Sequence, residues 1–160
     1  MSQPRSVAGF TLIELLISVV IVGLLASVAV PMAELAMQRN REQELRQALR
    51  DIRRGIDAYK QAVDEGRILG NPMASGYPPS LGVLVQGSQD VRNPDKNARL
   101  YFLRRIPRDP FADPKVDAER SWGKRSYASS ADDPSEGDDV YDVYSLSQDT
   151  GLNGLAYRKW

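Results

Sequence analysis

The sequence predicts an α+β fold, in which one long N-terminal α-helix packs on a small antiparallel β-sheet of three to four strands. Three observations support this prediction. They are a long apolar run near the N-terminus, a helical apolar stripe after it, and short segments rich in aromatic and branched residues in the last third. A chain of 160 residues has room for one modest domain and an appendage.

The apolar run has the length of a membrane-spanning helix. Between Glu14 and Glu34 lie 19 residues without a charge, which as an α-helix would extend about 28 Å, close to the thickness of a bilayer core. Arg5 precedes the run, which agrees with a cytoplasmic N-terminus. Three interpretations compete: a signal peptide cleaved after Ala29, a plain anchor with Glu14 at the interface, or an anchor in which that carboxylate has a function.

The residues around Glu14 favour a functional carboxylate. The stretch "AGFTLIE", residues 8–14, resembles the processing signature of the type IV pilin and pseudopilin family. The resemblance implies a leader of residues 1–9, cleavage after Gly9 by a membrane-embedded prepilin peptidase, and N-methylation of Phe10. It also implies that Glu14 pairs with the N-terminal amine of an adjacent subunit in a helical filament. Each of these two buried charges would offset the cost of burying the other.

Two helix-weakening residues lie inside the transmembrane and assembly helix, which is expected over residues 10–34. Pro31 cannot donate an amide hydrogen bond to the Ser27 carbonyl, and Gly23 is a poor helix former. Membrane helices tolerate both residue types, so one interpretation assigns them no role. Both match helix-loosening positions of the pilin family, and the resemblance implies that the segment between them can extend when subunits pack into a fibre.

An amphipathic helix is predicted to follow over residues 35–65. Its apolar residues recur at spacings of 4, 3, 4, 3 and 4, and Gly66 is placed to end it. A coiled coil is the weaker alternative because the stripe is short. The apolar face consists of Leu45, Leu49, Ile52, Ile56, Tyr59 and Val63, and the polar face of Arg46, Arg50, Asp51, Arg53, Arg54 and Asp57.

Residues 66–160 are predicted to form a globular domain with a loop region and a C-terminal β-sheet. "PPSLGVLVQG", residues 78–87, predicts a short helix followed by a glycine. The stretches "SWGKRSYASS", "DVYDVYSLS" and "GLAYRKW" have the composition of strands and are separated by turn-forming residues. Three short strands need a cover to be stable, and the apolar stripe of the long helix is expected to supply it.

Part of this domain resembles a narrower family. "YFLRRIPRDPF", "WGKRSYASS" and "DDVYDVYS" are similar to the soluble domain of the major pseudopilin of type II secretion. The resemblance implies a single-pass protein of the bacterial inner membrane, with its C-terminal domain in the periplasm, that polymerises with itself and with minor pseudopilins. It further implies an inner-membrane assembly platform with a cytoplasmic ATPase, and secreted protein substrates. The alternative is a type IV pilus pilin or minor pilin, although many pilins close a C-terminal loop with a disulfide and this chain has no cysteine.

The same resemblance implies a calcium site after the last "DVYS" strand. Ca²⁺ takes six to eight oxygen ligands, and Asp149 matches the family's first ligand position. A later acid is expected but the following segment offers only Asn153. Asp149 is therefore either a Ca²⁺ ligand or a solvated turn residue.

A basic cluster precedes the predicted sheet, at Arg104, Arg105 and Arg108. One interpretation is a solvated loop edge. The other pairs Arg105 with Asp51 or Asp57 on a neighbouring subunit, a contact that is weak singly but repeats along a filament. Binding of nucleic acid is not expected, because 21 basic and 21 acidic residues give a net charge of zero.

The composition argues against an enzyme. The chain has no histidine and no cysteine, which removes the commonest general base, the commonest metal ligand and thiol chemistry. The sequence also shows no convergent pair of acids, so no catalytic residues are assigned. A membrane-anchored periplasmic enzyme or binding protein, a third class of function, has little support.

Overall fold

The computed structural model describes residues 11–69 and 74–160. Its contacts divide the chain into two compact units, Met1–Asn40 and Arg41–Trp160. The first helix, α1, comprises Leu12–Asp64 and so has nearly the bounds that the sequence predicts. The predicted leader, with its cleavage site at Gly9 and Phe10, lies outside the described residues.

The first part of α1 is continuous and apolar. The helix is unbroken at Gly23 and at Pro31, although the proline leaves one carbonyl of the preceding turn without its usual amide donor. Hydroxyl groups bond to carbonyls of this segment, with Ser18 Oγ 2.8 Å from the oxygen of Glu14 and Ser27 Oγ 2.7 Å from that of Leu24. Side-chain hydroxyls of this kind are common in helices that must satisfy their backbone without water.

The second part of α1 contributes the main face of the domain core. Leu45, Ile52 and Ile56 are fully buried, and Val63 at the end of the stripe is partly buried. The stripe therefore packs on the domain as the sequence predicts. The side chains that complete this core are Ala48, Leu49, Tyr59, Ala62, Ile68, Leu81, Leu84, Trp122, Val140, Val143 and Tyr157.

Glycines end both helices. Gly66 has a φ of 67°, and its amide bonds to the Val63 carbonyl at 2.8 Å, which terminates α1 as predicted. The second helix, α2, comprises Leu81–Gln86, and Gly87 follows with a φ of 77°. Residues without a side chain reach such conformations at little cost, so the two glycines mark these helix ends in the sequence.

The strands form two small sheets and not one. Strands β1, Ser88–Gln89, and β2, Arg99–Leu100, pair antiparallel, as do β3, Trp122–Arg125, and β4, Asp142–Ser145. In the second pair Trp122 lies opposite Ser145. The α+β class and the antiparallel pairing are confirmed, whereas a continuous sheet of three to four strands is not what these described residues form.

The predicted last strand is wrong in type. Residues 157–159 form a 3₁₀ helix, and the segment before them contributes only an isolated bridge between Thr150 and Ala156. The 3₁₀ turn places Tyr157 and Trp160, three residues apart, on the same side. A strand would place them on opposite faces. Their ring centroids lie 5.0 Å apart, and this shared packing explains why the helical turn is preferred.

Candidate functional site

The N-terminal part of α1 presents a continuous apolar surface. Every residue from 11 to 37 is exposed, and the helix is long and apolar enough to cross a membrane. Leu12 is 82% exposed, and the large side chains that follow it are all more than 40% exposed. An exposed apolar surface of this extent requires lipid or other protein to cover it.

Glu14 lies at the start of this surface, in the first turn of α1. Its amide donates to Thr11 Oγ1 at 3.3 Å, and its carboxylate is placed where the helix dipole favours a negative charge. Within residues 11–69 and 74–160, no basic side chain forms an ion pair with Glu14. Its pairing with a terminal amine, like cleavage after Gly9 and methylation of Phe10, remains a prediction.

The structure gives no loosening at Gly23 or Pro31. The helix is regular at both, and a Cβ added to Gly23 would meet no atom within 4 Å. The glycine is therefore not required by packing inside this chain. Extension of the segment in a fibre stays a prediction.

Arg105 and Asp51 share one groove of the domain. The groove has a volume of about 410 Å³ and lies between α1 and residues 102–107. Asp51 Oδ1 accepts a hydrogen bond from Gln47 Nε2 at 2.7 Å, and among the described side chains Arg105 forms no ion pair with it. Asp57 does not line this groove but is exposed elsewhere on α1.

The segment that carries Arg105 is fixed by a buried carboxylate that the sequence analysis did not single out. Asp109 is 1% exposed, accepts from Ser145 Oγ at 2.6 Å and from the Phe111 amide at 2.8 Å. Trp122 Nε1 adds a hydrogen bond to the Pro107 carbonyl at 2.8 Å. The "RDP" of this segment was the available signal for this role, because an aspartate in a turn can accept hydrogen bonds from backbone amides.

Arg53 is a second residue whose role the sequence did not reveal. It was expected on the solvent face, but its guanidinium bonds to Asp142 Oδ1 at 2.8 Å and to the main-chain oxygens of Val143 at 3.2 Å and Trp160 at 2.8 Å. It thus ties α1 to β4 and to the C-terminal turn. Nothing in the helical pattern distinguishes it from the neighbouring arginines.

Asp149 lies in the loop that joins β4 to the 3₁₀ helix. Its side chain is exposed and accepts from Ser147 Oγ at 3.2 Å, while its main-chain oxygen accepts from the Tyr157 amide at 3.1 Å. In the described part of the chain no three acidic, His or Cys side chains converge on a point where a metal could bind. One carboxylate is a poor match to the six to eight oxygens that Ca²⁺ takes. The side-chain donors therefore do not fit the ion, and calcium binding at Asp149 stays a prediction.

Comparison with known proteins finds relatives for the apolar N-terminal segment and for most of the chain. A family model described as "Prokaryotic N-terminal methylation motif" matches residues 4–30. The type II secretion system core protein G of Dickeya chrysanthemi is 30% identical over an alignment of 162 positions, covering 94% of this chain and 96% of that protein. The chain belongs to this core protein G family. The Aeromonas hydrophila member is 30% identical over 119 positions, covering 70% of this chain and 73% of its own length.

The function of this pseudopilin follows from its family. It is a structural, non-enzymatic subunit of type II secretion, and its apolar helix with the pilin motif is a membrane anchor. Its partners belong to the secretion machinery. No solved structure matches the chain.

Proposed function

We propose that this pseudopilin is inserted in the bacterial inner membrane by residues 10–34, with the rest of the mature chain in the periplasm, and polymerises into a fibre that drives protein export. The observation that carries the proposal is the exposed apolar surface of residues 11–37, which contains Glu14 near its start. Lipid covers this surface before assembly, and the same segments of neighbouring subunits cover it in the fibre.

Assembly requires a positive partner for Glu14. A carboxylate buried among apolar helices without a counter-charge is strongly unfavourable. Residues 11–38 contain no lysine or arginine. Once the leader is removed after Gly9, the cation nearest in sequence is the new N-terminal amine of Phe10. A pair between this amine of one subunit and Glu14 of the next would fix the axial register of the fibre.

A second contact between subunits involves the groove of the domain. Arg105 is exposed at the groove, and α1 carries exposed or half-exposed acids at Asp51 and Asp57. We propose that Arg105 of one subunit approaches one of these acids on the next. A single exposed pair contributes about 0–1 kcal/mol, so its value lies in repetition along the fibre.

Other components supply what the chain lacks. The sequence has no GxxxxGK[ST] phosphate-binding loop, so a cytoplasmic ATPase acting through an inner-membrane platform is the proposed energy source. A prepilin peptidase processes the leader, minor pseudopilins join the fibre, and secreted proteins are the substrates. Family membership supports this set of partners.

Gene deletion in the native bacterium tests the assignment. Loss of this chain should leave secreted proteins in the periplasm while surface pili persist. Loss of pili with secretion unchanged would instead indicate a pilus subunit.

Processing is tested by mass spectrometry of protein extracted from membranes. The mature chain should begin at Phe10 and carry one methyl group on its amine. A chain beginning at Val30 would indicate an ordinary signal peptide and would contradict the anchor proposed here.

A further inference from the structure

We infer that side chains of α1 and of the C-terminal turn close the loop between β4 and the 3₁₀ helix, so that its fold does not depend on calcium. The central group is Glu42, which is 5% exposed. Its Oε1 accepts from the Leu152 amide at 2.8 Å and from the Tyr157 hydroxyl at 3.1 Å. One carboxylate of the long helix thus holds the middle of the loop and the buried aromatic residue that follows it.

Trp160 packs directly on the loop at Gly151. A Cβ added to Gly151 would overlap the Trp160 ring, so the ring lies directly on the backbone there. The Arg46 guanidinium is 4.4 Å from the ring centroid and 3.8 Å from Glu42 Oε2. Arg53 holds the main-chain oxygen of Trp160. Three residues of α1, Glu42, Arg46 and Arg53, therefore hold the loop and Trp160 on the helix.

Four of the loop's own oxygens accept hydrogen bonds from amides of the same segment. Main-chain oxygens of Asp149, Gly151 and Leu155 accept the amides of Tyr157, Gly154 and Gly151 at 3.1, 2.9 and 2.9 Å. The side-chain oxygen of Asn153 accepts the Leu155 amide at 3.0 Å. These bonds within the loop add to those that Glu42 and Arg53 make to it from α1. Glu42, Arg46 and Arg53 thus make the connection between loop and domain that a bound cation could otherwise make. This inference is independent of the proposed assembly mechanism.

The calcium experiment uses the full-length protein purified in detergent. Thermal unfolding is followed by tryptophan fluorescence in CaCl₂ and in EGTA, and Tb³⁺ luminescence excited through tryptophan reports any cation bound near Trp160. We expect equal melting temperatures and no saturable Tb³⁺ signal. A lower melting temperature in EGTA that Asp149→Ala abolishes, or a saturable Tb³⁺ signal that this variant loses, would overturn the inference.

A second experiment tests the closure itself. Glu42→Leu removes the carboxylate that accepts from the Leu152 amide and the Tyr157 hydroxyl, so the melting temperature should fall by roughly 5 °C or more. Glu44→Leu, at an exposed position of the same helix turn, is the matched control and should change it little. Equal melting temperatures of the two variants would contradict the inference.

Hydrogen exchange provides a readout that does not require the leucine variant to fold. The Leu152 amide should be protected in the wild-type protein equally in CaCl₂ and in EGTA. Glu42→Gln keeps an acceptor oxygen but not the charge, so it should lower the protection of Leu152 without abolishing it. Loss of protection in EGTA alone would show that calcium, not Glu42, closes the loop.

Discussion

Two carboxylates on α1 have opposite surroundings, and their roles follow from the difference. Glu42 is buried, and its Oε1 accepts hydrogen bonds from two donors of the same chain. Glu14 is exposed on an apolar surface and has no ion-pair partner in the part of the chain that the structure describes. We therefore expect the first to stabilise the subunit, and we propose that the second joins subunits.

Arg53 should matter more to stability than its neighbours on the polar face. Arg53→Leu removes hydrogen bonds to β4 and to Trp160, so the free energy of unfolding should fall by about 1–3 kcal/mol. Arg50→Leu, which loses only a bond to Gln47 at the surface, should change it by no more than about 0.5 kcal/mol. Urea denaturation measures both, and equal losses would mean that the Arg53 contacts contribute nothing net.

Asp90 should make the domain sensitive to acid. The hydrogen bond from Arg67, at 2.6 Å, is the main cause that lowers the pKa of Asp90 below its ordinary 3.8, and burial opposes it. Because the folded-state pKa is depressed, the stabilisation is complete above the unfolded-state value and is lost as the pH falls through the folded-state value.

The matched variants separate this ion pair from general acid effects. The stability difference between wild type and Arg67→Gln should be constant from neutral pH down to about 5 and should shrink as the pH falls below about 4. Lys96→Gln, at an exposed loop position, should show no such trend. Chemical denaturation at a series of pH values tests this, and a difference for Arg67→Gln that is independent of pH would contradict it.

At the level of elements, the sequence predicts the helices and helix ends that depend on local patterns. The apolar stripe from Leu45 to Val63 and the glycine at position 66 give α1 its buried face and its end, because helical periodicity and a positive φ are local properties. The roles of Arg53 and Glu42 were not predictable. Glu42 contacts Leu152, 110 residues away, and no short pattern encodes such a distance.

The C-terminal segment and the assembly residues also depend on contacts that local patterns do not encode. "GLAYRKW" has strand-like composition, but the packing of Tyr157 with Trp160 decides its conformation. Tertiary contacts commonly override weak local preferences of this kind. Glu14 and Phe10 were identified by resemblance to a motif, and their roles concern contacts between chains.

A side chain at position 123 of strand β3 should destabilise the domain. A Cβ added there would overlap the Tyr144 ring on β4, which pairs with it across the sheet. Gly123→Ala should therefore lower the free energy of unfolding by about 1–3 kcal/mol, as expected when a packed region is overfilled.

Gly82→Ala is the matched control for this prediction. Its added Cβ would make only ordinary van der Waals contacts, at 3.5 Å or more, and in a helix alanine is favoured over glycine by about 0.5–1 kcal/mol. Urea denaturation should show opposite signs for the two variants. A stabilised Gly123→Ala would show that Tyr144 moves aside without cost.

At the scale of the whole molecule, the chain combines a folded domain with a surface that the subunit cannot bury by itself. Residues 41–160 have their own core. Residues 11–37 remain exposed throughout. Such an apolar segment is suited to a lipid phase and to packing with other protein, which agrees with the chain's membership of the core protein G family.

The most direct test of the account is fibre assembly by the Glu14→Leu variant. The substitution removes a charge from the apolar segment, so membrane insertion should be as good or better, and cleavage after Gly9 should persist. In the fibre the neighbour's terminal amine would be buried without a counter-charge, at a cost of about 3–5 kcal/mol per contact.

Fibres are quantified by shearing and electron microscopy, with processing and insertion verified in the same cells. Glu34→Leu, at the other end of the uncharged run, is the matched control and should assemble normally. We expect processed, inserted Glu14→Leu protein that forms no fibres and supports no secretion. Wild-type amounts of fibre from that protein would contradict the pairing between Glu14 and the neighbouring N-terminus.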